Sequence, residues 1–215
     1  MIDCLVQKNK SESCGDCTLC WSSRKPIRFE NHAHKVIDKD SKTARIGVTM
    51  YGRNVFNLKD YPFKVIKPSR NVKLGKKIIR GKFKGAKIYT VTLEERATCP
   101  RECEHWEDCY GNNMPYAHRI KVGPELIPRL NHELNIIDKK NKPYMIRLHV
   151  LGDFYSVEYV KFWIDQLNKR PLLSIYGYTR WHIGTPIGDR IAMHNHDPRF
   201  AIRFSNAKDG FRAVS

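Results

Sequence analysis

Cys99, Cys103 and Cys109 lie close together in the run Thr-Cys-Pro-Arg-Glu-Cys-Glu-His-Trp-Glu-Asp-Cys-Tyr-Gly. Three thiolates on one short loop are the donor set of a metallocluster with one metal position left open, and an open position is where a substrate or cofactor can bind. The spacing is also compatible with zinc completed by His105 or His118, and with unliganded thiols; Asp108 is the remaining local oxygen donor. A second group, Cys4, Cys14, Cys17 and Cys20, has C-x9-C-x2-C-x2-C spacing. Four thiolates can close a tetrahedral zinc site or fully ligate a second 4Fe-4S cluster. All seven cysteines thus fall into one tetrad and one triad.

In a reducing compartment disulfides do not persist, so C-x2-C-x2-C spacing and an odd cysteine count read as metal ligation rather than as a disulfide framework. The N-terminus carries no apolar signal segment, and no stretch approaches the roughly 18 apolar residues a membrane span requires. The expectation is a cytoplasmic protein with no membrane partner. The chain of 215 residues is 41% hydrophobic and 11% aromatic, which suits one compact globular domain. Its formal charge is +17, and about +14 would remain if both cysteine groups held metal clusters. That excess favours polyanions, nucleic acid first among them.

Three sequence regions follow. Residues 1–30 form a cysteine-rich metal-binding segment, 31–86 a basic irregular region, and 87–215 the regular α/β part. Between Tyr61 and Leu93 there is no acidic residue, while Lys64, Lys67, Arg70, Lys73, Lys76, Lys77, Arg80, Lys82, Lys84 and Lys87 recur. This run is the candidate path for a nucleic-acid backbone. Gly75, Gly81 and Gly85 within it do not fit a phosphate-binding G-x4-G-K-[ST] loop, and no serine-hydrolase elbow is present.

The elements that must position the triad come next. Strands are predicted at Ile88–Leu93, Met145–Leu151, Leu172–Thr179 and Phe200–Phe204, with another beginning at Phe211. Helices are predicted at Pro124–Asp138, on the stripe Ile127, Leu130, Leu134 and Ile137, and from the Ser156 cap to Leu167. Pro128 requires a place in the first turn. Tyr155, Tyr159, Phe162 and Trp163 read as helix-packing residues, and His194 and His196 as an exposed loop pair.

Strand alternation sorts the side chains. With Ile146, Leu148 and Val150 toward the helices, Arg147 and His149 take the other face, together with Arg203, Ser205, Thr90 and Thr92. A sheet with helices on one side and Arg and His on the other suggests a partial (β/α) barrel around a ligand. Its site would lie at the C-terminal ends of the strands, where the cysteine triad and Gly152-Asp153 both sit.

Tyr89-Thr-Val-Thr-Leu-Glu-Glu-Arg-Ala-Thr-Cys-Pro, Cys109-Tyr-Gly-Asn-Asn-Met, Arg147-Leu-His-Val-Leu-Gly-Asp-Phe-Tyr-Ser and Tyr176-Gly-Tyr-Thr-Arg together resemble the phage-associated gene product 88 family over about residues 71–215. That family carries a similar cysteine-rich element after its barrel-like part, whereas here the element comes first. The chain therefore looks circularly permuted or split, with its two ends expected side by side. The layout resembles a compact radical S-adenosylmethionine (SAM) enzyme, in which three cysteines hold a 4Fe-4S cluster and the open iron chelates SAM for reductive cleavage to a 5'-deoxyadenosyl radical. The resemblance implies Cys99, Cys103 and Cys109 as cluster ligands and Gly152 and Asp153 at the methionine amino group. It also implies Tyr110 near the adenine and Arg203 or Arg147 at the carboxylate. Asp153, Arg147 and His149 are the catalytic candidates. The spacing here is C-x3-C-x5-C with Asp108 before the last cysteine, where radical-SAM enzymes have C-x3-C-x2-C with an aromatic. The implied function is a radical SAM-like iron-sulfur enzyme with a nucleic-acid-related substrate as the candidate class, needing an electron donor and working in the host cytoplasm if phage-encoded. The alternative is a non-catalytic phage protein, stabilised by zinc or iron-sulfur, that binds nucleic acid.

Overall fold

Tyr144-Met-Ile-Arg-Leu148 alternates apolar and other side chains, so as a strand it buries Tyr144, Ile146 and Leu148 while Met145 and Arg147 stay half-buried. Around that strand the chain builds a mixed α/β fold, seen in a computed structural model that describes residues 35–71 and 75–205. The chain divides into two units, Met1–His34 and Lys35–Ser215, and every described residue belongs to the second. The cysteine tetrad, Lys73, the strand predicted from Phe211 and the expected juxtaposition of the chain ends lie outside the described residues.

The elements in order are α1 (Lys42–Ile46), β1 (Val55–Phe56), β2 (Lys67–Pro68), β3 (Lys87–Thr90), β4 (Arg119–Ile120), α2 (Leu126–Asp138), β5 (Tyr144–Leu148), α3 (Val157–Lys169), β6 (Leu173–Thr179), α4 (Pro186–His194) and β7 (Phe200–Phe204). The main sheet has the order β2-β3-β5-β6-β7, and β1 pairs with β4 in a separate two-stranded ladder. From β3 to β7 all neighbours are parallel, and only β2 runs antiparallel to β3. A helix separates each successive pair of these parallel strands, so strands adjacent in sequence are adjacent in the sheet. Among the described residues the sheet is open, with β2 and β7 as its edges. The expected α/β class with parallel strands is thus present as a mixed α/β sheet, and no closed barrel forms among the described residues.

Register places Tyr89, Ile146, Ile175 and Phe200 in one row, and Leu148, Gly177 and Ile202 in another. All of these but Gly177 join Leu126, Leu130 and Leu134 of α2 and Val160, Trp163 and Leu167 of α3 in one core. Each fully buried large apolar side chain there contributes about 1.5–3 kcal/mol of transfer free energy. Two predicted helix-start features form. Ser156 accepts from the Tyr159 N–H at 3.1 Å and starts α3. Pro128 falls in the first turn of α2, where its missing N–H costs nothing.

Several boundaries move. The strands predicted to reach Leu93 and Leu151 end at Thr90 and Leu148. Leu93 and Leu151 still meet, the Leu93 N–H donating to the Leu151 carbonyl at 3.0 Å, but outside the regular ladder. Helix α4 was not anticipated: Thr185 caps it by accepting from the Gly188 N–H, Pro186 takes the first turn, and Ile187 and Ile191 are buried. His194, expected in an exposed loop, is half-buried in the last turn of α4, its ring stacked 6.4 Å from that of His196. No helix among the described residues is long and apolar enough to cross a membrane.

Candidate metal centre

The loop carrying the three cysteines leaves β3 through Val91 and Leu93, which are fully buried. Its shape is fixed by a buried polar network rather than by regular structure. Arg119, fully buried, donates from Nε to Glu95 Oε2 at 2.6 Å, and Thr49 Oγ1 donates to Glu95 Oε1 at 2.6 Å. The remaining Arg119 N–H groups reach the carbonyls of Gly111 at 3.0 Å and Ala117 at 2.8 Å, which lie on the far side of Cys109. Arg96, at φ 64°, donates to the Trp106 carbonyl at 2.8 Å and to Asn112 Oδ1 at 2.7 Å. Asn112 in turn donates to the Glu107 carbonyl at 2.7 Å. Such a network satisfies the backbone polar groups of an irregular loop that no sheet or helix would satisfy.

A small second core lies beneath the loop. Ile37, Ala44 and Trp106 are buried together, and Cys99 and Cys103 pack against them. Trp106 Nε1 donates to the Ala44 carbonyl at 2.9 Å. Arg101 lies with its guanidinium carbon 5.0 Å from the Trp106 ring centre and donates to the carbonyls of Arg45 at 3.0 Å and Ile46 at 2.8 Å. A cation at the C-terminal carbonyls of α1 offsets their negative partial charge.

Gly152 and Asp153 close the other side. Gly152 has φ +80°, and a Cβ there would sit 2.6 Å from Thr98 Oγ1 and 2.8 Å from Leu93 Cβ. Only glycine permits that approach. Thr98, one residue before Cys99, donates to the Glu94 carbonyl at 2.8 Å and accepts from the Asp153 N–H at 3.0 Å. The Asp153 carboxylate accepts from the Phe154 N–H at 2.7 Å, Thr179 Oγ1 at 2.9 Å and the Arg180 N–H at 2.7 Å. It therefore ties the cysteine loop to the end of β6. Burial raises its pKa to about 7, against the opposing pull of these hydrogen bonds and of the Arg180 charge.

All three thiols are half-buried and free of disulfides. Burial is the main cause raising each pKa, most strongly at Cys99, where Asp153, Cys109 and Cys103 add to it. Arg180 opposes the rise at Cys103 and Arg96 opposes it at Cys109. Among the described residues no three His, Cys, Asp or Glu side chains converge on a point that would hold a single metal ion. His105 Nδ1 pairs with Asp108 at 3.0 Å, and His118 Nδ1 meets Tyr61 OH at 3.1 Å. A cubane cluster makes a different demand, because each thiolate binds a different iron and the sulfurs need not converge. Three thiols on one loop, desolvated and flanked by Arg96 and Arg180, fit that donor set. The positive charge of a bound metal would reverse their raised pKa values.

The other site candidates separate by face. Arg147 and Thr90 share a register row with Tyr176, and Arg203 pairs with Tyr178, all on the face away from the main core. His149 is not among them. β5 ends at Leu148, and His149 turns to the helix side, with Nε2 3.2 Å from Tyr159 OH on α3 and its ring stacked on Tyr159. Burial lowers its pKa to about 3. Tyr110, directly after Cys109, is 59% exposed. The residues that hold the loop, Glu95, Arg96, Thr98, Asn112, Arg119 and Arg180, were not singled out from the sequence. The available signal was that five of the six stand inside the motif runs around Cys99, Cys109 and Tyr176.

No curated protein matches this chain, and no solved structure does. The family model described as gene product 88 matches residues 64–209. That span takes in the cysteine loop, the Gly152-Asp153 clamp and all four parallel strands, and the chain belongs to the gene product 88 family.

Proposed function

We propose that the protein is an iron-sulfur enzyme in which Cys99, Cys103 and Cys109 hold a 4Fe-4S cluster with one iron open to a small cofactor. SAM is the cofactor class that the resemblance implies. The observation that supports this reading is one loop with three half-buried thiols, placed where β3 ends and clamped to the end of β6. When bound, such a cluster supplies an electron to the ligand at its open iron.

The chain's own residues bind and orient. Arg96 and Arg180 favour the thiolate forms of Cys109 and Cys103. Gly152 and Asp153 hold the loop against β6 through Thr98, Thr179 and Arg180, which fixes the spacing of the donors. Arg147 and Arg203, on the open face, are suited to a carboxylate or phosphate of a bound cofactor. Tyr110 offers an exposed ring beside Cys109 for an adenine to stack on. The tetrad Cys4, Cys14, Cys17 and Cys20 would hold a second 4Fe-4S cluster or zinc, and an electron donor completes the system.

Anaerobic purification followed by iron, sulfide and zinc analysis tests the reading. Visible sulfur-to-iron absorption, loss of about four irons per chain in the Cys99→Ser/Cys103→Ser/Cys109→Ser variant, and a reduced-state electron paramagnetic resonance spectrum that shifts on adding SAM are expected. A colourless protein with stoichiometric zinc, or iron content unchanged by that triple substitution, would overturn it in favour of a metal-stabilised, non-catalytic protein.

A further inference from the structure

Five of the nine described members of the basic run converge. Lys64, Lys67, Arg70, Lys76 and Lys87 line one groove of about 730 Å³, with no acidic side chain in its lining. Glu133 of α2, which packs behind it, turns its carboxylate to the N–H groups of Val65 at 2.9 Å and Ile66 at 2.8 Å and to Arg129. Burial, then the charge of Arg70, holds the Lys67 pKa below its usual value, and Glu133 offsets this in part. Like charges crowded in a partly desolvated groove are relieved by an anion.

The groove continues onto the open sheet face. Lys67 pairs with Thr90, which also lines the groove; Thr90 pairs with Arg147, and Arg147 with Tyr176. Register partners on neighbouring strands point to the same face at about 4.8 Å intervals, so the groove's cations and the tyrosines lie on one continuous surface. Tyr178 and Arg203 form an adjoining pair, Tyr178 being 50% exposed and Arg203 exposed. Tyr176 and Tyr178, two residues apart on β6, point to the same face as Arg147 and Arg203. On the same face the Arg147 Nε is buried without a hydrogen-bond partner.

We propose that this surface binds single-stranded nucleic acid, with phosphates in the lysine groove and bases stacked on Tyr176 and Tyr178. Cationic grooves joined to aromatic platforms bind unpaired strands because every base presents a π-face. A duplex keeps its base faces stacked on one another, and an acidic peptide would engage the lysines but leave the tyrosines unused. As the substrate of the proposed iron-sulfur enzyme the strand rests on that reading; its binding to this surface requires no cluster.

The test is fluorescence anisotropy of the full chain with labelled single strands of about 12 nucleotides, as DNA and as RNA, beside the duplex of the same sequence. Single strands should bind roughly tenfold or more tighter than duplex. Tyr178→Ala should weaken them roughly 5- to 150-fold, whereas Tyr178→Phe keeps the ring and should bind as the parent does. The Lys64→Gln/Lys76→Gln/Lys87→Gln variant should reduce the slope of log affinity against log salt by about 2. Equal or tighter duplex binding, an unchanged Tyr178→Ala, an unchanged salt slope, or polyglutamate competing as well as a single strand would overturn the proposal. Metal content measured on the same samples separates the two readings, since a clustered protein that fails to bind sinks only this one.

Discussion

At the residue scale, His149 and Asp153 show how burial decides what a titratable group does. Both precede or begin the turn after β5, yet His149 turns to α3 while Asp153 turns to the cysteine loop. His149 has its folded pKa depressed to about 3 by burial. The neutral ring is favoured in the fold, so its contribution is complete above the unfolded value near 6.5 and is lost as pH falls toward 3. Unfolding free energy should therefore drop by up to about 1.4 kcal/mol per pH unit more steeply in the parent than in His149→Gln between pH 6 and 4. Urea titrations at several pH values check this; parallel slopes would show that His149 does not carry the term.

At the scale of elements, the cysteine loop is an irregular segment whose backbone groups are satisfied by side chains reaching across it. Arg119 of β4 is central, because it pairs with buried Glu95 before the loop and holds the Gly111 and Ala117 carbonyls after it. Removing one member of a buried pair leaves the other charge uncompensated, at a cost of about 3–5 kcal/mol. Arg119→Met should therefore lose about that much stability by chemical denaturation, and Glu95→Gln in the same chain should restore part of it. A loss below about 1 kcal/mol, the usual value for an exposed pair, would show that the network does not hold the loop.

At the scale of the whole described unit, two apolar clusters divide the labour. The large one spans β3, β5, β6 and β7 with α2, α3 and α4, whereas the cysteine loop packs its Trp106, Cys99 and Cys103 with Ile37 and Ala44. If the loop holds the proposed cluster, removing its metal should act locally. Hydrogen-exchange mass spectrometry of metal-loaded and chelator-stripped protein should show faster exchange across residues 94–118, with residues 144–148 and 173–179 unchanged. A uniform rise would mean that loop and sheet open as one unit.

The local patterns were legible because they depend on neighbours in sequence. Alternation in Tyr144–Leu148 and Phe200–Phe204, the α2 stripe and the Ser156 cap all follow from side-chain periodicity and one short-range hydrogen bond. So did the placing of Arg147, Arg203 and Thr90 on one face, since period 2 fixes a side chain's face wherever the strand persists. His149 was misplaced because the strand stops at Leu148, and α4 was missed because its signal lies in a Thr185-Pro186 cap and few apolar positions. Spacing alone grouped Cys99, Cys103 and Cys109 and marked the basic run. Tertiary structure alone decided that Arg119 is buried beneath the loop, that Asp153 joins it to β6, and that the lysines meet the open sheet face. Each of those depends on contacts between distant segments, which packing and charge compensation select and no local pattern encodes.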